Sequence, residues 1–321
     1  MARITEPGQI VCGIQLPIQT LSHTLRLQWE PDATVSDLVN IAQTAEAAGL
    51  GFIGVCDHIA IPDNDYAAHM STTWYDPVAT LGFLGAATNT IRLLSVVYIL
   101  PYRHPLMTAK SFTTLDHLTG GRTVMGVGAG HVEAEFEALG LNFADRGPMT
   151  NEAIDAVRAA MDATGDYCRF SGEYWDFQEM AVGPAAVQDS IPIWIGGSSR
   201  PALRRVAERG DGWIPQGTQR ADMAGQIDYM RAHAEAAGRD LDAVDLGWMP
   251  EGIYVGDPPD GLIPDWWPHL TGSPDEIAES LRYTHDLGTS VLHVRFRSRD
   301  LPEYLDQIAR FGADVLPLVA D

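Results

Sequence analysis

The strongest constraint on this chain's fold is a pattern that recurs from end to end: a short β-branched apolar run, then a helical pattern, then another apolar run. The strand-like runs are 11–16, 52–56, 91–99, 123–127, 193–195, 212–214, a stretch within 244–255, and 290–296. Most lack strict alternation, as strands covered on both faces should. The helical patterns between them are 35–48, 77–88, 105–117, 151–163, 200–208, 221–237, 274–287 and 301–311. Gly49, Gly210, Gly238 and Gly288 stop four of them, while Ser273-Pro274 and Leu301-Pro302 mark starts. Eight strands alternating with eight helices predict an α/β fold, a (β/α)8 TIM barrel forming one domain over residues 1–321. An open doubly wound sheet is the alternative, but no Gly-x-Gly-x-x-Gly follows the first run. Two stretches, 129–191 and 256–272, break the spacing and predict long insertions after strands 4 and 7.

Composition narrows the partners. With 21 Lys+Arg against 43 Asp+Glu, the net charge is −22, which repels nucleic acid and anionic membranes. A small-molecule ligand is expected instead, and an anionic one needs a local pocket of arginines and helix N-termini. The three cysteines, Cys12, Cys56 and Cys168, form no CxxC pair and fit a reducing compartment. The first residues lack the apolar core of a signal peptide, and no apolar run reaches the ~18–20 residues that span a bilayer. The expected location is cytoplasmic.

The second strand-like run, Gly51-Phe-Ile-Gly-Val-Cys-Asp57-His58, ends in an acid and an imidazole. Barrel enzymes keep their chemistry at that edge. A histidine there handles a proton at neutral pH, and a neighbouring carboxylate orients it. Taken alone, the pair reads more readily as a loop cap and a ring packed in a turn. The fourth run leads into Gly126-Val127-Gly128-Ala129-Gly130, where glycines let a flat ligand approach the backbone, or simply make a tight turn. The fifth ends Ile195-Gly196-Gly197-Ser198-Ser199-Arg200 and opens a helix: an anion site or an ordinary capped start. A metal-dependent hydrolase is disfavoured, because none of the ten histidines is two residues from another and no His-Glu-x-x-His occurs.

An ordered set of segments resembles the luciferase-like flavin and deazaflavin monooxygenase/oxidoreductase superfamily over nearly the whole chain. It comprises Ala45-Glu46-Ala47-Ala48-Gly49 before Asp57-His58, then Asp76-Pro77, Pro101-Tyr102-Arg103-His104-Pro105, and Ala109-Lys110 with Thr114-Leu115-Asp116. Gly120-Gly121-Arg122, Gly126 to Gly130, Glu135-Phe136-x-x-Leu139-Gly140 and Arg146-Gly147 follow. Pro192-Ile193-Trp194-Ile195-Gly196-Gly197 and Gly210-Asp211-Gly212-Trp213 complete the set. Within the superfamily the chain is most similar to the branch that uses coenzyme F420, common in actinobacteria.

The resemblance implies a barrel whose deazaflavin lies over the C-terminal strand ends, and hydride transfer to or from a small organic, apolar or aromatic substrate. His58 is then the proton-handling catalytic residue, with Asp57 fixing its tautomer, both beside the ring. Ser95-Val96 matches a place where relatives carry a non-proline cis peptide against the ring. Gly126, Gly128 and Gly130 would line ring and tail, with Ile195, Gly196, Gly197 and Ser198 at the phosphate, and Ser199, Arg200, Arg103 and Arg146 as further holders. Sugar-phosphate dehydrogenase relatives carry a glutamate where this chain has Ala129, which makes that oxidation less expected. Glu133 and Glu135 lie nearby but read as solvated or structural. Tyr66, His69, Trp74, Tyr75 and Trp266-Trp267 are candidate walls of a substrate pocket, or contacts of a homodimer, the usual assembly of relatives. The alternative on the same barrel is an FMN-dependent monooxygenase using reduced flavin and oxygen. A non-catalytic cofactor carrier is a third reading, disfavoured by Asp57-His58.

Overall fold

The computed structural model describes residues 2–23, 26–65, 69–249, 252–263 and 269–320. Its centre is the closed parallel barrel that the alternation predicts, of eight strands. These are β1 (Val11–Gln15), β2 (Phe52–Val55), β3 (Arg92–Ser95), β4 (Thr123–Gly128), β5 (Ile193–Gly196), β6 (Gly212–Ile214), β7 (Asp245–Trp248) and β8 (Val291–Phe296). Neighbours pair in that order, and β8 closes on β1 with Val11 opposite Val291 and Ile14 opposite Val294. The surrounding helices are α1 (Val35–Ala47), α2 (Pro77–Ala87), α3 (Pro105–Thr119), α4 (Arg146–Asp162), α5 (Arg200–Arg209), α6 (Met223–Ala236), α7 (Pro274–Asp286) and α8 (Leu301–Arg310). Thr34, Asp76, Ser199, Ser273 and Asp300 each cap a helix by accepting a backbone N–H with the side chain.

Three elements depart from the sequence reading. The run 91–99 is not one strand: β3 stops at Ser95, and the two-residue strand Tyr98–Ile99 pairs with β4 instead. The stretch 244–255 holds β7 and a second strand, Gly252–Val255, which pairs with the end of β8 and with His269–Gly272. The helix expected from 151 begins at Arg146. A short helix, Glu133–Ala138, and the antiparallel hairpin Tyr167–Ser171/Asp176–Ala181 lie between β4 and β5. Among the described residues no helix is long and apolar enough to cross a membrane.

Strand periodicity sorts the core into two shells. Residues such as Ile14, Ile53, Leu93, Leu292 and Val294 pack outward under the helices. Phe52, Leu94, Val96, Val124, Trp194, Ile214 and Val291 fill the barrel interior. His293 shares that interior, its ring 4.6 Å from Phe52. Burial holds it neutral, with a pKa pushed down to about 3.

One carboxylate ties a helix end to the sheet. Glu46 on α1 accepts the backbone N–H groups of Asn89, Thr90 and Ile91 at 2.6–3.0 Å, just before β3. Partial burial works against its ionisation, but these bonds and the Thr90 hydroxyl outweigh that and lower its pKa to about 2. A depressed carboxylate contributes stability above its unfolded pKa, and that contribution is lost as pH falls through the folded value. Glu46→Gln should therefore cost roughly 1 kcal/mol in urea unfolding at neutral pH. The gap to wild type should close as pH falls from about 4.5 toward 2. A gap independent of pH would show that the charge on Glu46 contributes nothing.

Candidate active site

At the C-terminal end of β2 the chain turns out of the barrel, carrying Asp57 and His58 to its mouth. The two side chains go to different partners. Asp57 is buried and pairs with Arg103: Nη1 and Nη2 of the guanidinium both donate to its carboxylate, Nη2 at 2.9 Å, and Ile99 N–H adds a third bond at 2.8 Å. Arg103 also lies 4.1 Å over the Tyr98 ring. Burial pulls this guanidinium's pKa down, but the Asp57 carboxylate more than offsets it, so its proton is held tighter than usual. Asp57 thus braces the turn after β3. The expectation that it fixes the tautomer of His58 is corrected.

That task falls to Glu135, on the short helix Glu133–Ala138. Its carboxylate is 2% exposed, and His58 Nδ1 lies 2.8 Å from Oε2. Tyr102 Oη donates to the same oxygen at 3.0 Å, while Ile59 and Ala60 N–H donate to Oε1 at 2.7 and 3.1 Å. Burial favours the neutral acid, but the bonds from His58, Ala60 and Ile59 reverse this, and its pKa lies below the ordinary range. Burial, and then Glu135, push the Tyr102 phenol far up, so it stays a neutral donor. An ionised carboxylate only accepts, so Nδ1 of His58 carries the hydrogen. Nε2 is left as the basic nitrogen, with no protein partner among the described residues. The Trp74 ring stands 4.3 Å from the imidazole and His131 5.5 Å. Glu135 and Tyr102 were visible in the sequence only as motif letters. Their convergence on His58 is tertiary, and no spacing signals it.

Beside this pair, β3 breaks. Val96 N–H still donates to Val55 O at 2.7 Å, so the sheet register holds one residue past Ser95. The non-proline cis bond accordingly falls at Val96–Val97, not at Ser95–Val96 as expected. Ser95 is fully buried, and its hydroxyl donates to Gly126 O at 2.8 Å. The glycines around it are explained by this break. A Cβ on Gly128 would lie 2.5 Å from Val97 Cγ2, and one on Gly196 would lie 2.6 Å from Val97 Cγ1. A Cβ on Gly54 would meet Val96, and one on Gly126 the Ser95 carbonyl. The space expected to be open for a ligand over Gly126 and Gly128 is therefore filled by the chain itself. Gly130 adopts φ +79° beside Phe136.

At the next strand end, Ile195 is buried, Gly197 N–H donates to Ile214 O, and Gly197 O accepts from Trp213 Nε1. Ser198 Oγ lies 2.6 Å from Thr218 Oγ1, and Ser199 caps α5. Arg200 lies over Tyr229 and Arg146 over Phe143. The backbone N–H groups of Ser198, Ser199 and Arg200 have no protein partner among the described residues. Of the expected substrate wall, Trp74 adjoins His58, Tyr75 packs on the core, and His69 is exposed. Tyr66 and Trp266-Trp267 lie outside the described residues. Glu133 is exposed, in contrast to Glu135.

Comparison with known proteins bears on the family and the fold. The model of a family described as luciferase-like monooxygenase matches residues 13–260. An uncharacterised protein of Mycobacterium tuberculosis is 33% identical over 212 residues, 63% of this chain and 72% of that protein. The coenzyme F420-dependent tetrahydromethanopterin reductase of Methanopyrus kandleri superposes with a TM-score of 0.74 at 21% identity, covering 96% of this chain and 99% of that one. The oxygenating constituent of 3,6-diketocamphane monooxygenase of Pseudomonas putida, solved with FMN, gives 0.71 at 16% identity, covering 90% and 95%.

The packing at the break yields a direct test. Gly128→Ala should destabilise the chain by about 1–3 kcal/mol, since valine is stiff at χ1 and cannot swing away. In the Val97→Ala background the same change should cost under half as much. Equal costs in both backgrounds, measured by denaturant unfolding, would mean that Gly128 is not there to clear Val97.

Proposed function

Because this chain belongs to the luciferase-like monooxygenase family, we propose that it is a coenzyme F420-dependent oxidoreductase, transferring a hydride between the deazaflavin and a small organic substrate. The observation that carries this reading is the imidazole at the barrel mouth, held by a buried carboxylate with Nε2 left for a reacting atom. The segment resemblance favours the deazaflavin branch, and the F420-dependent reductase among the fold neighbours is consistent with it.

The residues present fit such a group. The free N–H groups at the start of α5 would hold its phosphate, with Gly196, Gly197 and Ser198 forming the floor. The Ser95–Val97 break and the backbone of Gly130 would flank the ring. When bound, the deazaflavin supplies the hydride chemistry. His58 Nε2 takes or gives the proton that accompanies it on the substrate, work a histidine accelerates by about 10²–10⁴-fold. Glu135 keeps Nδ1 protonated and stabilises the imidazolium when Nε2 accepts. Trp74 supplies an apolar wall against the imidazole, which suits an apolar or aromatic substrate. The assembly we propose is a homodimer.

Mixing apo-protein with F420 should change the deazaflavin fluorescence, while FMN should bind poorly. His58→Ala should lower turnover by about 10²–10⁴-fold and leave the cofactor Kd within a few-fold of wild type. Tight FMN binding with no F420 response would replace this reading with the flavin monooxygenase one. Near wild-type turnover by the variant would remove His58 from the chemistry.

A further inference from the structure

We propose that the substrate carries an anionic group, a carboxylate or phosphate, which is received by an arginine pocket between the ends of β1 and β8; this rests on the oxidoreductase reading above. The pocket is a recess with a cavity of about 60 Å³, lined by Gln15, Arg26, Glu30, Arg295, Arg297 and Tyr304 among others. Its position follows from strand periodicity. His293 faces the barrel interior against Phe52, so Arg295, two residues on, faces the same way one layer nearer the mouth. Gln15 stands beside it in the β1–β8 register, and Arg295 Nη2 donates to Gln15 Oε1.

Charge makes the pocket unusual for this chain. The protein as a whole is −22. Among the described residues, three arginines line the recess against one carboxylate, Glu30. Glu30 is buried, and its oxygens accept Ile18 and Leu27 N–H at 2.9 and 2.7 Å, closing the loop that roofs the recess. Arg295 has no carboxylate within ion-pair distance among the described residues. A largely desolvated guanidinium that meets Glu30 only beyond ion-pair distance is costly to hold charged, and an incoming anion offsets that cost. Burial alone draws its pKa down.

The pocket adjoins the proposed chemistry. Gln15 Nε2 also donates to Cys56 Sγ, directly before Asp57-His58. Thr20, on the pocket wall, forms a β-bridge with Trp74, whose ring touches His58. An anion held by Arg295 therefore leaves the rest of a small molecule extending toward Trp74 and the imidazole. Such a ligand has an apolar body and one acidic end.

The test uses anions without any cofactor. Benzoate, against chloride at matched ionic strength, should raise the Tm of apo-protein by about 2–4 °C. Arg295→Gln should abolish that rise, and Arg26→Gln, at an exposed position, should reduce it even if the first variant folds poorly. No anion-specific rise in wild type, or the same rise in both variants, overturns the proposal. A second arm identifies the source of the anion. The Kd for F420 should agree within two-fold between wild type and Arg295→Gln, whereas a ten-fold loss would assign the pocket to the cofactor's acidic tail and overturn the substrate assignment. Failure of wild type to bind F420 contradicts the hydride reading, not the anion result.

Discussion

The mouth of this barrel is organised by the buried Glu135 carboxylate. It joins three segments that are remote in sequence: the exit of β2 at His58 to Ala60, the turn at Tyr102, and its own short helix. Four donors converge on two oxygens, which compensates the cost of burying the charge. With those donors in place the carboxylate stays ionised, and an ionised carboxylate can only accept. The orientation of His58 and the identity of its basic nitrogen follow from that one fact.

The second organising feature is the break after β3. A strand that continued through Val96 and Val97 would bury both side chains in the sheet. Here the chain leaves the ladder after Val96 N–H, and glycines on β2, β4 and β5 withdraw their side chains to receive it. Asp57 and Arg103 then pin the far side of the turn through Ile99. Asp57 and Glu135 thus have separate duties, one for the backbone and one for the imidazole.

Much of the fold was legible because burial on both faces writes itself into sequence as short β-branched runs, and helix ends as glycine, proline and hydroxyl signals. The barrel closure and the positions of Asp57-His58 at a strand end follow from that pattern. What stayed hidden depends on contacts between distant segments. The run 91–99 is apolar throughout, so nothing local tells that it leaves the sheet midway. The glycines at 126 and 128 advertise a close approach but not by what, and the answer is Val97 rather than open space. Glu135 lies in an acidic helical stretch, Glu133 to Glu137, whose other acids face solvent. Only the packing of Phe136 and Tyr102 turns it inward. Asp57, adjacent in sequence to His58, was the more obvious partner, and proximity along the chain proved a poor guide.

Glu135 holds His58 as the Nδ1–H tautomer and leaves Nε2 basic. Nitrogen-15 NMR of histidine-labelled protein, at about pH 8, reads this directly. Wild type should show a protonated Nδ1 and a bare Nε2 for His58, and Glu135→Ala a shift toward the Nε2–H form, which free imidazole side chains prefer. A wild-type signal from the Nε2–H tautomer, or one unmoved by Glu135→Ala, would contradict that assignment.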